Sequence, residues 1–126
     1  MAPVYRLAVT LDFAAAHQLR CYQGKCERLH GHNFGVEVAV EGSELLPGVE
    51  FLMDFGELKR LTQEILDQLD HRVLGELPAF TERNPSSENI ARHIYTELKP
   101  RLPGHVRLAE VTVSEKPSSR ATYREN

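Results

Sequence analysis

The chain has 126 residues, 41% of them hydrophobic and 26% charged, with a formal net charge of −3. That length suits one domain with a real core, and the slightly acidic balance offers no basic footprint for nucleic acid. No apolar run approaches the roughly 20 residues that span a bilayer, and the N-terminus lacks the charged-then-apolar layout of a signal peptide. A cytoplasmic setting is the expectation. The two cysteines, Cys21 and Cys26, do not have C-x-x-C spacing, and a reducing compartment argues against a disulfide between them.

From Val4 to Phe13 the odd positions Tyr5, Leu7, Val9, Leu11 and Phe13 are apolar, with Arg6, Thr10 and Asp12 between them. This alternation predicts a half-buried strand. His17 keeps the same parity, although the run Ala14-Ala15-Ala16 could interrupt the pleat. A second strand is expected from about Asn33 to Glu41, its inner face formed by Phe34, Val36, Val38 and Val40. His30 and His32 share that parity and extend the face if the strand starts early enough. Leu46-Pro47-Gly48 reads as a turn. Asp54 is positioned to cap a helix, with Glu57 completing a capping box. Phe55, Leu58, Leu61, Ile65, Leu66 and Leu69 form the apolar stripe of that helix. Asn84-Pro85-Ser86-Ser87 opens a second helix that turns Ile90, Ile94, Tyr95 and Leu98 inward and ends near Pro100.

Val106 to Lys116 predicts a third strand and Ala121 to Arg124 a short fourth. Val111, Val113 and Glu115 share a parity that Val106 and Leu108 do not, which calls for a bulge. The order ββααββ predicts an α+β layer: a four-stranded antiparallel sheet with both helices on one face.

His17, His30 and His32 are the candidate metal ligands. Two imidazoles two residues apart on a strand point the same way, and a third can close a zinc site with one open position, the arrangement of catalytic rather than structural zinc. Cys26 lies four residues before His30, beside Lys25, where a cation would lower its thiol pKa. Asp70-His71 reads equally as a helix terminus suited to the dipole or as a carboxylate orienting an imidazole for proton transfer. Glu115 is either a strand-end residue reaching solvent or a carboxylate that accepts from an amino-heterocycle. Glu88 suits the first turn of the second helix.

Taken in order, Phe13-Ala14-Ala15-Ala16-His17, Cys26-Glu27-Arg28-Leu29-His30-Gly31-His32-Asn33, Met53-Asp54-Phe55-Gly56-Glu57, Leu69-Asp70-His71, Pro85-Ser86-Ser87-Glu88-Asn89 and Val113-Ser114-Glu115 resemble the 6-pyruvoyl-tetrahydropterin synthase family. The spacing of Cys26 from His30, and Met53-Asp54-Phe55, are more similar to its bacterial branch, the 6-carboxy-5,6,7,8-tetrahydropterin synthases of queuosine biosynthesis.

The resemblance implies a T-fold whose sheets join between subunits into a barrel, usually in a hexamer of two trimers. It implies Zn2+ on His17, His30 and His32, and Cys26 as general base. Asp70 and His71 would form a proton relay contributed by a neighbouring subunit. Glu115 would anchor the pterin ring or join the relay, and Ser86, Ser87 and Glu88 would line the pterin pocket. Serine at both 86 and 87 departs mildly from the family's usual step. The implied substrate is 7,8-dihydroneopterin triphosphate, converted to 6-carboxytetrahydropterin, acetaldehyde and triphosphate. The alternatives are the pyruvoyl product, with the side chain kept, and a non-catalytic pterin- or metal-binding protein of the same fold.

Overall fold

A computed structural model describes residues 2–20 and 28–126, so Cys21, Lys25 and Cys26 lie outside the described residues. The first two strands are longer than their apolar patterns. β1 spans Tyr5–His17 and β2 spans His30–Gly42, paired antiparallel without a break: Val9 faces Val38, Phe13 faces Phe34 and His17 faces His30. The three alanines do not interrupt the pleat, because a methyl side chain fits either face of a sheet.

α1 (Phe55–Leu66) starts where expected, but its cap is simpler than a capping box. The Asp54 side chain accepts from Gly56 N at 2.7 Å, while Glu57 pairs with Arg60 instead of reaching back. Leu58, Leu61, Ile65 and Leu66 are buried. Phe55, in the first turn, is 56% exposed and does not join the stripe. Leu69 is buried beyond the helix end.

Asp70 and His71 then dock on β1. Asp70 Oδ1 accepts from Ala14 N at 2.8 Å, and His71 N donates to Ala14 O at 2.5 Å. His71 takes a left-handed backbone (φ 57°) to do so. The pair starts β3 (Arg72–Val73), which runs parallel to β1 beside Ala15 and Ala16. The sheet is therefore five-stranded and mixed, in the order β3-β1-β2-β4-β5, not four-stranded and antiparallel. A two-residue strand is too short to show any alternation, so its presence could not be read from pattern. His71 also lies five residues past the end of α1, so the dipole of that helix is not what holds it.

Short 3-10 turns at Leu74–Glu76 and Pro78–Phe80 lead to α2 (Ser87–Leu98), capped by Ser86 accepting from Asn89 N at 3.2 Å. Ile90, Ile94, Tyr95 and Leu98 are buried. β4 (Arg107–Lys116) pairs with β2, and β5 (Ser119–Tyr123) closes that edge. Ala39 faces Glu110 while Val40 faces Leu108, so Ala109 is the extra residue of the expected bulge. The bulge keeps Leu108 on the same inner face as Val111, Val113 and Glu115 despite the change in parity. Both helices cover this face, and one cluster joins Phe13, Phe34, Val38, Val111, Leu58, Ile65, Ile90 and Ile94.

Candidate metal centre and active site

The continuous β1–β2 ladder assembles the centre. His17 and His30 are direct cross-strand partners, and His32 stands two residues along on the same face. One nitrogen from each of the three rings lies within 4.8 Å of the other two. Phe34 backs the cluster, edge-on to His17 at 5.2 Å and to His32 at 5.4 Å between centroids.

The hydrogen bonds fix which nitrogens face inward. His17 Nδ1 donates to Pro85 O at 2.7 Å, and His30 Nδ1 donates to Arg28 O at 2.8 Å. A carbonyl only accepts, so each Nδ1 carries the proton and each Nε2 presents a lone pair. These two Nε2 atoms lie 3.0 Å apart. Two lone pairs at that separation repel, and a metal cation between them would relieve the repulsion. His17 is 1% exposed. His32 Nε2 is buried with no hydrogen bond. Burial lowers the pKa of His32, opposed by the charge of Glu115, which favours the neutral form that binds metal. Three neutral imidazoles, two of them held through the far nitrogen, form a donor set that fits zinc.

Glu115, at the end of β4, lies over this cluster. Its Oε1 is 3.5 Å from His17 Nε2 and its Oε2 is 3.4 Å from His32 Nε2. Ser87 Oγ donates to Glu115 Oε1 at 3.5 Å, so the start of α2 reaches the same point. Ser86 accepts the α2 cap bond, and Glu88 is exposed on the first turn.

Asp70 Oδ2 contacts His71 Nδ1 at 2.9 Å, with the His71 side chain 81% exposed. The Ala14 amide, then His71, hold the Asp70 carboxyl below the usual carboxylate range. An ionised Asp70 keeps the His71 Nδ1 proton in place and leaves Nε2 free to exchange one. A groove of about 500 Å³ runs between His71 and His32 past Ala14, Ala16 and Gly31. A second, of about 690 Å³, runs from His32 and Asn33 to Glu115 and Lys116. Both fall in the size range of small-molecule sites.

Three side chains that the sequence left without a role have one here. Arg20 directs its guanidinium at Phe80 O and Arg83 O. Asn84, read only as part of a helix start, bonds to the Arg20 backbone. His93, on α2, is half-buried and edge-on to Phe80 at 5.5 Å. Each is a pairing across more than ten residues of chain, which no local spacing announces.

Comparison with known proteins agrees with this picture. Residues 6–126 match the family model described as 6-pyruvoyl tetrahydropterin synthase. A Synechocystis protein named 6-carboxy-5,6,7,8-tetrahydropterin synthase is 40% identical over 117 residues, covering 89% of this chain and 87% of its own. A Pyrococcus furiosus protein named dihydroneopterin monophosphate aldolase is 37% identical over 110 residues, covering 87% and 89%. The structure of Caenorhabditis elegans 6-pyruvoyl tetrahydropterin synthase superposes with a TM-score of 0.83 at 27% identity, over 98% of this chain and 97% of that one. The chain belongs to the 6-pyruvoyl tetrahydropterin synthase family.

Proposed function

We propose that this protein is a zinc-dependent 6-carboxy-5,6,7,8-tetrahydropterin synthase of the queuosine route. In this reading it converts 7,8-dihydroneopterin triphosphate and one water to 6-carboxytetrahydropterin, acetaldehyde and triphosphate, as a cytoplasmic lyase. The observation that supports it is the convergence of three histidine nitrogens, all within 4.8 Å of one another, beside the carboxylate of Glu115.

His17, His30 and His32 would hold the metal. Bound there, zinc supplies Lewis acidity to the oxygens of the substrate side chain and so acidifies the adjacent C–H bonds. Glu115 accepts from the amino and ring N–H groups of the pterin, and Ser87 Oγ orients that carboxylate. Ser86 and Glu88 border the same helix start and complete the pterin pocket. Cys26, as thiolate, removes the side-chain proton, and His71, held by Asp70, carries it away. His71 immediately precedes β3 and its side chain is exposed, which suits a relay used by a neighbouring subunit of a hexamer.

Incubation of the purified protein with dihydroneopterin triphosphate tests this reading. Release of acetaldehyde together with a 6-carboxylate, by mass, is the expected result, and a product retaining the three-carbon side chain makes the protein a pyruvoyl synthase. The Pyrococcus relative favours a second reading, an aldolase acting on the monophosphate. Turnover of dihydroneopterin monophosphate, with none of the triphosphate, would select it.

A further inference from the structure

Two stretches of chain far apart in sequence meet next to His17. Arg20 N donates to Asn84 Oδ1 at 2.9 Å, and Asn84 Nδ2 donates back to Arg20 O at 2.9 Å. Arg20 Nε reaches the same Oδ1 at 3.0 Å, and Arg20 Nη2 donates to Phe80 O at 2.6 Å and Arg83 O at 2.8 Å. From α2, Asn89 Nδ2 donates to Asn84 O at 2.9 Å. The Asn84 amide can be oriented only one way here, because its oxygen faces two donors and its nitrogen a carbonyl.

Pro85 follows Asn84. Its ring fixes φ, and the next residue, Ser86, is tied down as the α2 cap. With both neighbours anchored, the Pro85 carbonyl has little freedom, and it points at His17 Nδ1, 2.7 Å away. We propose that Asn84, supported by Arg20, is a positioning residue of the metal centre: its clamp on the Arg20 backbone holds the Pro85 carbonyl against His17, and so keeps that imidazole in the tautomer and plane that turn Nε2 to the metal. The inference rests on the metal reading given above.

The test is a zinc titration of the chelator-stripped full chain against a competing chelator. Wild type, Asn84→Asp, Asn84→Ala, Arg20→Lys, Leu98→Ala and His30→Ala are compared. Outer contacts to metal ligands change affinity by about 10- to 100-fold. Asn84→Asp keeps the acceptor and loses the donor, so zinc should weaken by about tenfold, and Asn84→Ala should approach the upper value. Arg20→Lys keeps the backbone clamp and should weaken zinc less. Cobalt loaded into Asn84→Asp should show a visible spectrum shifted from that of wild type. Leu98→Ala, at the far end of α2, lowers the unfolding midpoint and leaves zinc affinity and the cobalt spectrum unchanged. If Asn84→Ala does not fold, Asn84→Asp and Arg20→Lys still decide the matter. Zinc bound by both of those variants as by wild type, with an unaltered cobalt spectrum and binding still abolished by His30→Ala, overturns the inference alone. A wild-type chain that takes up no zinc overturns the metal reading and this inference together.

Discussion

The two ends of the β1–β2–β4 sheet both gather polar side chains from all three strands, yet they differ in how those groups are satisfied. At one end Arg6 bonds Glu41 at 3.0 Å and Glu110 at 2.7 Å, and Arg107 bonds Glu41. Each cationic side chain there meets a carboxylate, in a partly exposed network. At the other end His17, His30, His32 and Glu115 converge; the Nε2 atoms of His17 and His30 face each other 3.0 Å apart, and His32 Nε2 is buried with no hydrogen bond. A network complete in itself is scaffold. One that lacks a positive centre is a site for something that brings the charge.

Breaking the incomplete end should have the largest effect. His30→Ala should lower zinc affinity by more than the roughly 100-fold ceiling of outer contacts and remove turnover. Metal content by mass spectrometry and steady-state kinetics check this, and stoichiometric zinc in the variant would sink the ligand assignment. Glu115→Gln comes next. It should retain zinc while kcat/KM falls by about tenfold to a hundredfold, the loss of hydrogen bonds to a charged group, and an unchanged kcat/KM would leave Glu115 a mere strand end.

Smaller effects sharpen the contrast. His93 is half-buried against Phe80, and burial lowers its pKa, with the charge of Glu97 opposing. The unfolded chain thus binds more protons than the folded one as pH falls through about 6.5. The stability that neutral His93 contributes is complete above that pH and is lost as the pH drops through the lower folded value. In zinc-loaded protein, thermal melts of His93→Gln should show a shallower loss between about pH 7 and 5. An unchanged slope would acquit His93. The smallest effect is expected at the complete end. Arg6→Ala should cost no more than about 1 kcal/mol, measured by denaturant unfolding, with zinc content and turnover unaltered.

The parts of the site that were legible in the sequence share one property: they follow from the period of a strand. Parity alone puts His30 and His32 on the face of Phe34, and it calls for a bulge in the third predicted strand, which the register places at Ala109. Register is different. That His17 faces His30 depends on an unbroken ladder through three alanines, which their pattern left open. β3 was invisible because two residues carry no alternation, and its docking uses a side chain, Asp70, that could equally have ended a helix. Phe55 matched the helical period and is still exposed, since the period gives an angle and not the extent of the surface below. The Arg20–Asn84 pair needs the tertiary fold before either partner has a meaning.

The outer contacts of His17 and His30 both end on main-chain oxygens, those of Pro85 and Arg28. An acceptor of that kind is present whatever amino acid occupies the position, so it cannot be deleted by a point mutation in its own codon. A library randomising position 28 should therefore return many functional clones, with failures concentrated in sequences that bend the chain. For this centre, tolerance to genetic drift depends on backbone path more than on side-chain identity, and the residues that secure the path inherit the fragility that the acceptors have shed.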